Sequence, residues 1–133
     1  YTCDLFHDDQ PTPVITRSGK RFVSVPYSLE LNDTIVYVTN KIEPRRYGQM
    51  IKDALDRLYA EGEHSGTVMC VPLHAYQVSH PHRLAAFQDA MDYICSHDGV
   101  WKATGREIAQ HYLDNHYDDA LASLAAIKAE DAA

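Results

Sequence analysis

Three of the eight histidines lie within nine positions of the segment CVPLHAYQVSHPHR, residues 70–83. Histidine titrates near neutral pH and binds metal ions, so this group could serve acid–base chemistry or a metal site. His80 and His82 flank Pro81 at a predicted helix start, and the chain contains no His-x-x-x-His or His-Glu-x-x-His pair. We therefore predict no metal ligation by the trio. His74 has two open interpretations, a general acid or base, or a half-buried histidine bonded to a backbone carbonyl.

Two further groups of polar side chains could act with His74. Asp4, Asp8 and Asp9 form a dense carboxylate cluster that could orient a histidine, bind a cation or share protons. The same aspartates could instead bond nearby backbone amides in a turn. The loop PYSLELND carries polar side chains that could bind an amide or a sugar, or could form turns: Tyr27, Glu30, Asn32 and Asp33.

Arg83 falls in the first turn of a predicted helix, where its positive charge opposes the local dipole. A carboxylate or a ligand beside its guanidinium would relieve that opposition. A solvated arginine is the alternative.

Helical periodicity accounts for much of the chain. A helix is predicted from Pro44 to a stop at Gly62, with a continuous apolar face: Tyr47, Met50, Ile51, Ala54, Leu55, Leu58 and Tyr59. A second helix is predicted from Pro81, with Leu84, Phe87, Met91, Ile94 and Cys95 on its apolar face. Thr104 and Glu107 form a capping box for a third helix, and residues 118–131 are expected to form a last, acidic one.

Between these helices, four stretches read as strands. They are KRFVSVPY, residues 33–38, the apolar run at 66–73, and a very short strand in DGVW, whose Trp101 is expected in the core. The alternation of helices with strands predicts an α/β layer fold. Ligands in such folds bind beyond the carboxyl ends of strands, which is where His74 falls. The aspartate cluster falls there too if Tyr1–Cys3 ends a strand.

Bulk properties exclude some classes of function. The 133 residues suffice for one domain with a core, and 45% hydrophobic with 23% charged residues is ordinary for a globular protein. A net charge of −7 without a basic stripe argues against nucleic-acid binding, and no apolar run suggests a membrane span. Three widely spaced cysteines without a Cys-x-x-Cys pair fit reduced thiols, so a cytoplasmic location is expected.

Four segments in order, YTCDLFHDDQP, VPYSLELND, VPLHAYQVSHPHR and HDGVWKATGREIAQHY, resemble the C-terminal half of a polysaccharide deacetylase (NodB homology) domain. The resemblance covers residues 1–117, followed by an acidic helical tail at 118–133. It is closest to the subgroup of cofactor-independent allantoinases and peptidoglycan deacetylase-like proteins. It implies an α/β fold, the C-terminal portion of a distorted (β/α) barrel, that hydrolyses an amide in an N-acetyl sugar or in allantoin.

The resemblance also implies roles for individual residues. The sequence PLH, residues 72–74, corresponds to the family's Leu-x-His motif, whose histidine is the catalytic acid, so the resemblance assigns roles to Leu73 and His74. Asp4 and Asp8 are expected to support that histidine, and a substrate-binding role is expected for Asp9, Tyr27, Asn32, Leu73 and Arg83. The sequence DDQP replaces the tryptophan usual after the aspartates, which favours the allantoinase-like branch. The histidine before Arg83 departs from the usual small residue, so the substrate stays open.

The family's Thr-Phe-Asp-Asp base motif and its His-x-x-x-His metal motif are absent from these residues. A whole barrel also needs about 250 residues, and the sequence starts at Tyr1 rather than at a methionine. We therefore expect an inactive portion of a hydrolase, completed by a missing N-terminal half and assembled as an oligomer. No cofactor is expected within the chain itself, and the completed protein is either zinc-dependent or metal-free. A non-catalytic binding or assembly module is the alternative function.

Overall fold

The longest helix, α1 (Pro44–Glu61), forms where the apolar periodicity predicts it in the computed structural model, which describes residues 1–131. Pro44 occupies the first turn, where a missing N–H group costs no hydrogen bond, and Gly62 follows the last turn. The helix packs against α3 (Pro81–Cys95). Its buried stripe consists of Tyr47, Gly48, Ile51 and Leu55.

The described residues divide into two compact units. One is Tyr27–Lys102, and the other joins Tyr1–Pro26 to the chain from Ala103 onward. The core of the Tyr27–Lys102 unit is apolar and is formed by residues of α1, of α3 and of the segment that precedes α1: Leu31, Val36, Tyr37, Tyr47, Ile51 and Ala90. Met69 and Val71, in the run before His74, pack against this core.

The close approach of α1 to α3 depends on Gly48. A Cβ atom added there would lie 2.7 Å from the backbone oxygen of Ala86 in α3. Backbone atoms cannot rotate away as a flexible side chain can, so the two helices would have to separate. This contact explains why a residue with poor helix propensity lies inside α1.

Substitution of Gly48 by alanine is expected to lower the free energy of unfolding by about 1–3 kcal/mol, because overpacking outweighs the better helix propensity of alanine. Urea denaturation of the chain would measure this change. Gly66→Ala is the matched control, since nothing lies within 4 Å of a Cβ atom at that position. Equal stability of the two variants would show that the helices separate without cost.

The stretch at 33–38, predicted as a strand, is helical, so that prediction was wrong. Asp33 and Thr34 begin the turn, and Ile35–Thr39 form a π-helix that Asn40 closes with a hydrogen bond from its N–H to the Ile35 carbonyl, 2.9 Å long. The Asn32 side-chain oxygen caps this start by accepting the backbone N–H groups of Thr34 and Ile35. Capping and burial in the core outweigh the β propensity of the isoleucine and valines. We call residues 33–39 the 33–39 helix.

The apolar run at 66–73 is extended, but it enters no strand ladder within residues 1–131, so the predicted buried strand is wrong in that respect. Its residues are mostly half-buried, with Met69 and Val71 packed on the core. Extended conformation follows from the local sequence, whereas a ladder requires neighbouring strands. Immediately after the run comes α2 (Ala75–Val78), a short helix that the sequence did not predict.

Two other expectations for the Tyr27–Lys102 unit also fail. Trp101 is 58% exposed, and the predicted short strand around it does not form in the described residues. In α3, Leu84 and Cys95 are exposed, while Ala90 is fully buried. The other three residues of the predicted face, Phe87, Met91 and Ile94, pack on the core beside Ala90. Helical periodicity thus located α3 and the middle of its buried face, and failed only at the two ends.

The other unit contains the remaining strands and helices. Strand β1 (Thr12–Pro13) pairs antiparallel with β2 (Val23–Ser24), which confirms a short strand in KRFVSVPY. Thr2 forms a parallel bridge with Ser24, with backbone hydrogen bonds of 3.0 and 2.9 Å on either side. The start of the chain therefore takes strand-like pairing just before the aspartate cluster.

Helices α4 (Gly105–Asn115) and α5 (Tyr117–Glu130) complete this unit and pack on each other. The predicted capping box forms: the Thr104 hydroxyl accepts the Glu107 N–H, and the Glu107 carboxylate accepts the Thr104 N–H at 2.7 Å. These bonds hold the pKa of Glu107 below its usual value. The last two residues of the predicted tail, 132–133, lie outside the described residues.

Candidate active site

The ring of His74 is bonded to a buried carboxylate. His74 Nδ1 lies 2.6 Å from Asp33 Oδ1, and the His74 backbone N–H donates to Asp33 Oδ2 at 2.7 Å. Asp33 is fully buried, whereas the His74 side chain is 38% exposed. Asp33 starts the 33–39 helix, and its own N–H donates to the Pro72 carbonyl at 3.2 Å, which joins the helix to the extended run before His74.

Two oxygens of one carboxylate thus fix both the backbone and the ring of the histidine. With the proton on Nδ1 directed at Asp33, the second ring nitrogen, Nε2, carries the lone pair that can accept or return a proton. The Thr34 hydroxyl lies 3.1 Å from the same Nδ1 and is a second polar neighbour. The geometry is that of a histidine oriented for proton transfer, on a side chain that is partly open to solvent.

Arg83, in the first turn of α3, does not meet a carboxylate. Its Nη1 donates to the Gln77 backbone oxygen at 3.0 Å and to the Gln77 side-chain oxygen at 2.7 Å. Its guanidinium also lies 4.2 Å from the centre of the Tyr37 ring. Burial raises the pKa of the Tyr37 hydroxyl, the nearby Asp33 charge raises it further, and Arg83 opposes both. Arg83 and Asp33 therefore act electrostatically on the same buried tyrosine.

Three of the predicted substrate-binding residues lie beside the Asp33–His74 pair: Tyr27, Asn32 and Leu73. Asn32 is buried, donates to the Tyr27 hydroxyl at 2.7 Å and caps the 33–39 helix, so its amide holds the turn that positions Asp33. Leu73, directly before His74, is 43% exposed. Of Asn32 and Leu73, only Leu73 is exposed enough to contact a ligand.

The other two histidines of the segment lie at the start of α3, as predicted. His80 is the residue before the first turn, but its side chain makes no capping hydrogen bond there. Its ring centre lies 5.6 Å from that of His82, and both residues are exposed.

The aspartate cluster belongs to the other unit and has local partners there. The Asp4 carboxylate accepts the Thr2 hydroxyl, and Asp8 Oδ1 accepts the Gln10 N–H at 3.0 Å in a turn. All three aspartates are exposed. Within its own unit, His74 takes Asp33 as its carboxylate partner.

Sequence reasoning placed Asp33 in a polar loop but did not pair it with His74. The two residues are 41 positions apart, and no motif spacing connects them. The available signal was an acidic residue two positions before the apolar stretch IVYV, because a carboxylate carried into a core needs a partner there.

A metal centre does not arise from the described part of the chain. Within residues 1–131, no three side chains of histidine, cysteine, aspartate or glutamate come together in a group that could hold a metal ion. The Asp33–His74 pair supplies only two of the side chains that a metal ion would need. The hydrogen bond between them already uses His74 Nδ1 and Asp33 Oδ1. The residues described here therefore do not fit a metal on their own. In the same range, no helix combines the length and the apolar character needed to cross a bilayer.

Comparison with known proteins identifies this chain as a NodB-like deacetylase fragment. The chain is 33% identical over 129 residues to a putative polysaccharide deacetylase of Schizosaccharomyces pombe, covering 87% of this chain and 39% of that protein. No protein-family model matches it.

Two solved structures are similar in fold as well as in sequence. One is the allantoinase Puue, with a TM-score of 0.80 and 32% identity over 86% of this chain and 38% of the allantoinase. The other is a probable polysaccharide deacetylase from Pseudomonas aeruginosa PAO1, with a TM-score of 0.78 and 32% identity over 85% of this chain and 38% of that one. The predicted resemblance to this superfamily is confirmed. The chain spans about two-fifths of the length of the relatives it matches.

Proposed function

We propose that this chain supplies the histidine part of a site that hydrolyses a carbon–nitrogen bond other than a peptide bond. The observation that carries the proposal is the pairing of a buried Asp33 with a partly exposed His74 through two hydrogen bonds of 2.6 and 2.7 Å. The likeness to a polysaccharide deacetylase and to an allantoinase gives the reaction class, hydrolysis of an acetamide on a sugar or of a cyclic ureide amide.

In the proposed reaction, water attacks the substrate carbonyl and the C–N bond breaks, leaving a carboxylic acid and an amine. His74 Nε2 donates a proton to the departing nitrogen and is afterwards reprotonated from solvent. Asp33 stabilises the protonated ring by accepting its Nδ1–H, as the orienting carboxylate does in other histidine-based hydrolytic sites. His74 is thus the general acid, and Asp33 is its orienting partner.

Arg83 is proposed to bind an oxygen atom of the substrate. One of its terminal nitrogens is committed to Gln77, while the planar guanidinium carries further N–H groups suited to carbonyl or carboxylate oxygens. Leu73 would contact an apolar part of the substrate, and Tyr27 and Asn32 would shape the edge of the site. We retain Asp4, Asp8 and Asp9 as proposed groove residues that act together with His74 in the complete hydrolase.

The site is proposed to need a second segment, which would complete the distorted barrel and supply the catalytic base. Two observations support this. The chain spans 38–39% of each relative it matches, and the extended run at 66–73 has no ladder partner within residues 1–131. The neighbouring strands would come from the completing segment, either in the same polypeptide or in a separate one, and an oligomer would cover exposed sheet edges.

The test is reconstitution. The chain would be produced alone and together with the segment encoded upstream or in an adjacent reading frame, and hydrolysis of an N-acetylated sugar oligomer and of allantoin would be assayed. We expect turnover of one of these substrates by the completed protein and none by the chain alone. Assays with and without a chelator would separate metal-dependent from metal-free chemistry. A completed, folded protein that binds either compound without hydrolysing it would favour a binding module and would refute the proposed reaction.

A further inference from the structure

Tyr37 is a buried aromatic residue that the proposed reaction does not use. It lies four positions after Asp33 on the 33–39 helix and is 8% exposed. The edge of the Tyr47 ring packs against it, with ring centres 5.2 Å apart and planes at 74°. The Arg83 guanidinium lies against its ring, 4.2 Å from the centre. Tyr37 is therefore held between the core and the arginine.

The Tyr37 hydroxyl forms no hydrogen bond with any described residue, although it is buried. A buried hydroxyl without a partner costs free energy, so hydrogen bonding does not explain its position. The ring face, in contrast, meets a cation at a distance well inside the range of cation–π attraction, about 6 Å. The useful contact of this residue is made by its ring.

Arg83 needs such support because of its place in α3. Its charge lies in the first turn, where the helix dipole is unfavourable to a cation. Gln77 fixes one terminal nitrogen through two acceptors, and the Tyr37 ring supports the guanidinium. No carboxylate forms an ion pair with Arg83 among the residues that the structure describes. The guanidinium is therefore positioned without its charge being neutralised.

We propose that Tyr37 is a positioning residue for Arg83, so that one short helix orients both halves of the site. Asp33, at the start of the 33–39 helix, sets the direction of the His74 ring. One turn later, Tyr37 sets the plane of the guanidinium that binds the substrate oxygen. This inference rests on the proposed function and extends it. The ligand of Arg83 is an oxygen atom of the substrate. It is either the carbonyl oxygen of the scissile amide or a carbonyl or carboxylate oxygen of a neighbouring group.

The test compares two replacements of Tyr37 in the completed hydrolase. Tyr37→Phe keeps the ring, and Tyr37→Met fills similar space without an aromatic face. We expect Tyr37→Met to raise KM by about 5- to 30-fold, the equivalent of a lost desolvated cation–π contact, with kcat changed less than about threefold. Tyr37→Phe keeps the aromatic ring, so its KM should equal that of the unsubstituted protein. Tyr59→Met is the matched control, because Tyr59 is half-exposed and hydrogen-bonds to the Asp98 carbonyl instead.

A second readout does not depend on activity. In the isotope-labelled chain, the Arg83 side-chain N–H resonance should be shifted by the ring current of Tyr37 and should stay shifted in Tyr37→Phe. A resonance at the position of exposed arginines in the unchanged chain would overturn the proposal, as would an unchanged KM in Tyr37→Met. Absence of turnover in the unmodified completed protein would instead refute the proposed function, and the resonance would still decide the Tyr37–Arg83 contact.

Discussion

Replacement of His74 by alanine in the completed hydrolase is expected to lower kcat by a factor of about 10²–10⁴, the usual contribution of a positioned general acid. Proton donation to the leaving nitrogen helps only the transition state, so KM should change little. Steady-state kinetics over a range of substrate concentrations would separate the two parameters. The Asp33 carboxylate would lose its ring partner but would keep the backbone N–H of residue 74.

His82→Ala is the matched control for this experiment. It removes the same side chain eight positions away, from an exposed site at the start of α3. We expect its kcat to lie within about twofold of the unchanged protein, because surface substitutions of this kind perturb stability by less than about 0.5 kcal/mol. A His74→Ala protein that matches His82→Ala in kcat would remove His74 from the chemistry.

Asp33→Asn is expected to reverse the tautomer of His74 and to lower kcat by about 10³–10⁴-fold. The residue 74 backbone N–H must keep an oxygen acceptor, so the asparagine oxygen would remain there and its NH₂ group would face Nδ1. Nδ1 would then accept a hydrogen bond and the proton would move to Nε2. The ring would retain its place, but with an NH₂ group facing Nδ1 it could not become the doubly protonated imidazolium that donates from Nε2.

Nitrogen chemical shifts of the His74 ring would report the tautomer directly, in the chain alone. We expect the protonated nitrogen to change from Nδ1 to Nε2, and the free energy of unfolding to fall by about 1–3 kcal/mol through loss of a charge-assisted hydrogen bond. Asp92→Asn, on the exposed side of α3, is the control and should change neither quantity. Full kcat in Asp33→Asn despite a reversed tautomer would show that the reaction does not need a His74 imidazolium stabilised by Asp33.

The longer helices α1, α3, α4 and α5 were predictable because their signals are local. The spacing of Tyr47, Ile51 and Leu55, the proline at 44 and the Thr104–Glu107 box each act within a few residues. His74 was found for a related reason, since it follows an apolar extended run. It does lie at the end of that run, but the short helix α2 follows it instead of the expected loop.

The parts that failed depend on contacts distant in sequence. Residues 33–38 have β propensity, but the Asn32 cap and burial against α1 make them helical. The run at 66–73 has the composition of a strand, but a ladder depends on neighbours that the described residues do not supply. The Asp33–His74 bond spans 41 positions and only the folded unit brings it about. Long-range pairing of this kind leaves no spacing pattern in a single sequence.

The extended run at 66–73 also bears on the abundance of the protein in the cell. Its residues, GTVMCVPL, include no charged side chain that would oppose pairing with a second molecule. If strands from a completing segment pair with this run, as proposed, then before they arrive the run would be open to the same pairing by any other extended chain. If the completing segment is a separate polypeptide, the amount of functional protein should follow the supply of that segment more closely than the intrinsic stability of this chain.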